Sequence, residues 1–183
     1  RASPTLSARM PLSRLNLFEF TALLAFLSAN VAFAIDAMLP ALPQIAAELT
    51  PGDVNRAQLV LTSFVLGMGL GIFVAGPISD AVGRKRTIAW GVGIYILGAA
   101  LAGTAQSLEW LLAARFVQGL GAAGPRIASM ALVRDQYAGR EMARVTSFIM
   151  MIFILVPAVA PALGQIIIGV AGWRGVFIAF MLF

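Results

Sequence analysis

Three ionisable side chains lie within stretches of sequence that are otherwise apolar: Asp36, Arg115 and Arg126. A charged group in hydrocarbon is costly unless it is paired or hydrated, and such groups are usually functional. A carboxylate can exchange a proton, whereas an arginine in a protein keeps its own. A carboxylate beside a guanidinium would also respond to whatever else binds there. This combination is typical of a proton-coupling device.

The positions of these residues predict that two of them meet. Asp36 lies near the end of one apolar run, and Arg115 lies six residues into another run of opposite direction, so both should sit at similar depth. We therefore expect a functional Asp36–Arg115 pair that couples to protonation or, alternatively, an inert salt bridge between two helices or an Asp36 that faces water. Arg126 follows Arg115 by eleven residues, which returns to nearly the same helix face about 16 Å away. A water-filled cavity or snorkelling of Arg126 would each explain this stripe.

The composition defines the surroundings of these charges. Of 183 residues, 60% are hydrophobic and 11% are charged, against about 45–50% and about 25% in soluble domains. With a mean hydropathy of +0.92, the chain is expected to be an integral membrane protein, not a disordered, nucleic-acid-binding or small secreted one. The absence of cysteine and histidine from the sequence removes thiolate chemistry and the commonest metal ligand and general base. We expect no enzyme activity, no catalytic residues, no cofactor and no metal.

The apolar runs predict an all-α transmembrane bundle that forms one unit behind a tail at 1–16. Most runs approach the ~20 residues that cross a bilayer as a helix, and none alternates as a barrel strand would. The last run reaches only about 16 Å, so we expect a truncated sixth helix. The predicted spans are 17–39, 57–77, 88–105, 108–133, 145–170 and 173–183.

Basic residues between the runs predict the orientation. Nine lie on one side of the predicted membrane, and only Arg56 and Arg174 lie on the other. The positive-inside rule places the larger group, and with it the amino terminus, in the cytoplasm. The nine are Arg1, Arg9, Arg14, Arg84, Lys85, Arg86, Arg134, Arg140 and Arg144.

Two further patterns concern helix packing. Gly67, Gly71 and Ala75 recur every four residues, which favours close approach by another helix. Pro157 and Pro161 lie on one face of the fifth span and should bend it. A bent helix rich in small residues suits a moving interface.

The loop after the second span resembles the signature of the major facilitator superfamily, G-x-L-x-D-R-x-G-R-[KR]. A Gly-Pro break is expected just before its acidic residue, and Ala81 replaces the usual arginine. The matching residues are Gly76, Asp80, Gly83, Arg84 and Lys85.

Three other segments resemble motifs of the same superfamily. Arg115, Gln118 and Gly119 match R-x-x-Q-G in the fourth span. The segment from Asp36 to Pro43 is similar to the D-x-x-x-P-x-x-P of the bicyclomycin and chloramphenicol resistance subfamily. In the fifth span Pro157, Pro161 and Gly164 resemble the antiporter motif, although Val156, Ala160 and Gln165 replace glycines.

The resemblance implies two six-helix halves that work by alternating access, of which this chain is similar to the amino-terminal half. It implies that Asp36, Arg115, Gln118 and Arg126 face the proton and substrate cavity. Asp80 would cap a helix of the other half, Arg84 would pair with Asp135, and the helix with Pro161 would line the moving interface.

The function expected from this resemblance is proton-coupled export of small hydrophobic drugs or metabolites, in a multi-pass protein of a bacterial inner membrane. Its partners would be protons, a small-molecule substrate, the bilayer and a carboxy-terminal half supplied by missing sequence or a second copy, but no nucleic acid. A nutrient importer of the same superfamily and a truncated bundle without transport activity are the alternatives.

Overall fold

The computed structural model describes residues 17–182, and all regular elements in that range are helices. The predicted tail at 1–16 lies outside the described residues, as does Phe183. Two 3₁₀ turns, Leu39–Ala41 and Val54–Gln58, flank the second helix. The helices are α1 (Leu17–Asp36), α2 (Leu42–Leu49), α3 (Leu59–Val82), α4 (Arg84–Gly103), α5 (Leu108–Gln136) and α6 (Gly139–Leu182).

Near two prolines, the helices end at different positions from those predicted from the sequence. α1 ends at Asp36, because Pro40 has no N–H to donate to the Asp36 carbonyl, and the chain then forms the short, unpredicted helix α2. The predicted break at Gly76-Pro77 is wrong: α3 continues through Pro77 to Val82. Neighbouring helices and local adjustments make a proline tolerable inside an apolar helix of this kind.

α6 bends at one glycine. Gly172 has φ 66° and ψ −176°, a backbone conformation that strongly favours glycine. The segment 139–171 precedes this bend, and the segment 173–182 follows it. The bend lies between the stretches predicted as a fifth span, 145–170, and a sixth span, 173–183.

α5 is the central helix, and its glycines allow the neighbouring backbones to approach. A Cβ atom on Gly67 of α3 would collide with the Phe116 carbonyl of α5, and one on Gly119 would collide with the Phe64 carbonyl of α3. The expected close approach along the row that begins at Gly67 is therefore confirmed. α4 packs against another face of α5, where Gly98 lies against Gln118.

Four helical stretches within residues 17–182 are long and apolar enough to cross a membrane: Glu19–Leu49, Val54–Val82, Arg84–Gly103 and Gly139–Leu182. α5 is not among them, although it has 29 residues. Two interior arginines, Arg115 and Arg126, lower its apolar character. Its small residues are nevertheless buried by the helices around it, so its surroundings are other helices more than lipid.

Candidate functional site

The end of α1 supplies an unusual hydrogen-bond acceptor. In a regular helix the Met38 N–H would donate to the Ala34 carbonyl. Here Met38 N donates to the Ile35 carbonyl instead, at 3.3 Å, as the chain tightens toward Pro40. The Ala34 oxygen is therefore left without its helical donor.

Arg115 of α5 uses this free carbonyl. The guanidinium is fully buried; its Nη2 donates to the Ala34 oxygen at 3.0 Å and its Nε to the Val60 oxygen of α3 at 3.4 Å. Its Nη1 donates to Oε1 of Gln118 at 2.8 Å. One side chain thus joins α1, α3 and α5 through hydrogen bonds that partly offset the cost of burying its charge.

Aromatic rings enclose the same guanidinium. Its central carbon lies 4.4 Å from the centroid of the Phe64 ring. Phe177 and Phe180, from the segment of α6 after the bend, lie at 5.9 and 5.8 Å. Rings at such distances attract a cation, more strongly when water is excluded. The end of α6 therefore closes the Arg115 site.

The direct Asp36–Arg115 ion pair predicted from the sequence is wrong. Asp36 is half-buried, and its carboxylate makes no hydrogen bond or ion pair with any residue of the range 17–182. Asp36 follows Ala34 by two residues, which corresponds to about 200° around a helix. Asp36 therefore projects away from the side of α1 on which Arg115 contacts Ala34. The two groups are linked instead through the α1 backbone.

The α6 segment with the antiporter-like motif packs on the same end of α1. A Cβ atom on Gly164 would collide with the Ala37 carbonyl, so the two backbones touch one residue after Asp36. Pro157 is exposed and Pro161 is half-buried. Asp36 is therefore next to a stretch of α1 that Arg115 and Gly164 contact from different helices.

Of the other two predicted cavity residues, Gln118 belongs to the Arg115 cluster, whereas Arg126 lies in separate surroundings. Arg126 is half-buried, and its guanidinium carbon lies 5.6 Å from the centroid of Phe153 in α6. Gln118 is buried, and its amide nitrogen has no hydrogen-bond partner among the described residues. The predicted stripe shared by Arg115 and Arg126 therefore divides between two packing environments.

A cavity of about 270 Å³ lies between α1, α4, α5 and the end of α6. Its walls are mainly apolar and include Leu27, Tyr95 and Phe180, with Asn30 as a polar group. The buried Tyr95 hydroxyl has no partner among the described residues. None of the four predicted cavity residues lines this space.

Arg84 organises the end of the bundle at which α3 and α4 meet. Gly83 makes the turn between them with φ 99°, and Arg84 Nη1 donates to Asp80 and, at 2.9 Å, to Ser79 Oγ. Arg84 Nε donates to Asp135 of α5 at 3.1 Å. The expected Arg84–Asp135 ion pair is therefore present, while Gly76 has open space around its Cα and Lys85 is exposed.

A cluster at the opposite end was not predicted. Arg174 forms an ion pair with Glu48 of α2 at 2.7 Å and donates to the Ala105 carbonyl at 2.8 Å. The Trp173 indole donates to Glu48 at 2.7 Å, and the Trp173 N–H donates to Gln44 at 3.1 Å. The sequence contained two signals of this cluster. One is a charged Glu48 beside an apolar run, and the other is a Trp-Arg pair directly after a glycine.

These observations define a helical, multi-pass membrane protein whose central helix carries a buried charge. The sequence model described as "Major Facilitator Superfamily" matches residues 21–183. The chain therefore belongs to the major facilitator superfamily.

Individual relatives lie in the same family. The chain is 33% identical over 165 residues to "Uncharacterized MFS-type transporter YdgK" of Bacillus subtilis, covering 87% of this chain and 41% of the relative. It is 36% identical over 160 residues to "Bicyclomycin resistance protein homolog" of Haemophilus influenzae, covering 87% and 40%. It is 33% identical over 144 residues to "Multidrug resistance protein MdtL" of Vibrio parahaemolyticus, covering 79% and 36%. The chain thus spans about two fifths of the length of these relatives.

Proposed function

We propose that this chain is the amino-terminal half of a proton-coupled exporter of small hydrophobic compounds that works by alternating access. The observation that carries this proposal is the similarity to relatives named for bicyclomycin and multidrug resistance. Asp36, which has no ion-pair partner among the described residues, would exchange the proton. The buried Arg115 contacts the same end of α1. A carboxy-terminal half in the same full-length chain or a second copy would complete the transporter.

In this proposal the bundle crosses the membrane six times. α1, α3, α4 and α5 would make four crossings, and the two segments of α6 would contribute to the fifth and the sixth. The distribution of basic residues supports a cytoplasmic location for the Arg84 end. Burial of α5 by its neighbours explains how it can cross despite its arginines.

Asp36 would carry the transported proton. Its carboxylate lacks a permanent cationic partner among the described residues, so it is free to exchange a proton with water or to compete with a bound substrate. Because Arg115 and Gly164 contact the same end of α1, a change at Asp36 can alter how α1 packs against α5 and α6. A conformational preference of this kind is what allows a gradient to drive export.

Arg84, Asp80 and Asp135 would stabilise one conformation at the cytoplasmic side. The ion pairs between them connect α3, α4 and α5. Asp80 would release Arg84 and interact with the other half in the conformation closed toward the cytoplasm. The exposed residues of this part of α6 would face the moving interface: Pro157, Ala158, Val159, Ala162 and Leu163.

The test uses the intact protein in proteoliposomes with an imposed pH gradient and a hydrophobic cationic dye as substrate. Dye should move against its own concentration gradient only while the pH gradient persists, and a protonophore should abolish this movement. Movement with the proton, rather than opposite to it, would contradict export. Equal flux without a pH gradient would contradict proton coupling.

A further inference from the structure

The two ends of the bundle differ in whether their basic side chains form ion pairs. At the opposite end, Arg56 and Arg174 both form ion pairs, with Glu109 at 3.5 Å and with Glu48 at 2.7 Å. At the Arg84 end only Arg84 is paired within the described residues. The unpaired and exposed cations there are Lys85, Arg86, Arg134, Arg140 and Arg144.

α4 combines two of these cations with an exposed aromatic side chain. Arg86 and Trp90 are four residues apart and therefore share a helix face. Trp90 is 55% exposed although tryptophan is large and mainly apolar. Trp90 lies about 9 Å along the helix from Arg84, and tryptophan is enriched at membrane–water interfaces.

The same face of α4 continues with aliphatic residues. Ile94 and Leu97 follow Trp90 at helical spacing, and both are exposed. From Arg86 inward the face therefore presents a cation, then an indole, then hydrocarbon. This order matches the phosphate, interfacial and acyl layers of one leaflet.

We propose that this face of α4, formed by Arg86, Trp90, Ile94 and Leu97, binds an anionic phospholipid, together with the exposed Lys85 beside Arg86 at the start of the helix. Lys85 and Arg86 would hold the phosphate, Trp90 would lie at the glycerol level, and Ile94 and Leu97 would contact an acyl chain. No described carboxylate competes for the two cations. The site requires only that the chain lies in a membrane, so it is independent of the transported substrate and of the direction of transport.

The first experiment titrates the intact protein in detergent with phosphatidylglycerol or phosphatidylcholine and counts retained lipids by native mass spectrometry. Each basic residue contributes enough attraction that removing two should weaken phosphatidylglycerol binding about thirtyfold. The variant is Lys85→Gln/Arg86→Gln, and its control is Arg140→Gln/Arg144→Gln, which removes the same charge from α6. In the control, we expect the affinity for phosphatidylglycerol to change by less than about threefold. Equal losses of affinity in the two double variants would show that a diffuse surface potential attracts the lipid, and would overturn the proposed site.

The second experiment locates the lipid. Brominated phosphatidylglycerol should quench tryptophan emission more than brominated phosphatidylcholine, and this excess should vanish in both Trp90→Phe and Lys85→Gln/Arg86→Gln. Inorganic phosphate should not displace the lipid, because the indole and the aliphatic residues require its acyl part. Displacement by phosphate would show a free-anion site, and an absence of excess quenching would show that another part of the protein covers this face; either result overturns the proposal.

Discussion

The Nη2 atom of Arg115 lies 3.0 Å from the carbonyl oxygen of Ala34, two residues before Asp36. This oxygen is available because Met38 N donates to Ile35. Restoring a regular helix there would return the Ala34 carbonyl to Met38 and cost Arg115 one of its hydrogen bonds. Arg115 therefore stabilises the broken end of α1, on which Asp36 is placed.

Substitution of Arg115 should reveal this structural role. Arg115→Ala leaves the Ala34 oxygen unpaired and removes a large buried side chain, so we expect a loss of about 2–5 kcal/mol in stability. Arg115→Lys keeps the charge but cannot reach the same acceptors in the planar geometry of a guanidinium, so it should recover only part of this loss. Thermal unfolding of the intact protein in detergent measures both.

The matched control for Arg115 is Arg126→Lys. Arg126 is half-buried, and the contact that the structure gives its guanidinium is with the Phe153 ring. A lysine retains this cation–π contact, so the unfolding temperature should change little. A larger loss for Arg126→Lys than for Arg115→Lys would contradict the role assigned to Arg115.

Gly164 offers a test of the contact between α6 and the end of α1. Gly164→Ala places a methyl group against the Ala37 carbonyl, and overpacking of this kind typically costs about 1–3 kcal/mol. We expect reduced export together with a lower unfolding temperature. Gly169→Ala is the control on the same helix, because its Cβ would meet open space and the gain in helix propensity is the same. Similar effects of the two changes would show that the contact with Ala37 is not responsible.

Some of these relationships could be predicted from sequence and others could not. The Arg84–Asp135 pair could be predicted because the resemblance to the superfamily implies it, and the structure contains this pair. The acceptor of Arg115 could not be predicted, because a backbone oxygen carries no sequence signal and becomes free only where α1 breaks. The Glu48–Arg174 pair likewise depends on the unpredicted helix α2 and on the bend at Gly172.

The Arg84 cluster should affect the balance between conformations. In Asp80→Asn/Asp135→Asn both carboxylate partners of Arg84 are lost, although the side chains keep their size. Because both carboxylates are exposed, solvent screens these pairs and each contributes little, so we expect a small shift in the ratio of the two conformations. Spin-label distances across the Arg84 end of the intact protein would show the shift.

Glu141→Gln is the control for the Arg84 cluster. Glu141 is an exposed acid at the same end and forms no ion pair with a described residue. Its substitution should leave the distance distribution unchanged. If the double variant also leaves it unchanged, the Arg84 cluster only fixes the turn between α3 and α4.

Proton coupling is tested most directly at Asp36, the half-buried carboxylate at the end of α1. Asp36→Asn keeps the side-chain size and removes the exchangeable proton, so the variant should bind substrate but lose export driven by a pH gradient. Asp53→Asn is the control, because Asp53 is exposed and its Oδ1 accepts from the Asn55 N–H, a role that asparagine can also fill. Binding and gradient-driven export are measured in parallel on the intact protein. If Asp36→Asn still moves substrate against its concentration gradient with ΔpH as the sole energy source, the transported proton resides on another group.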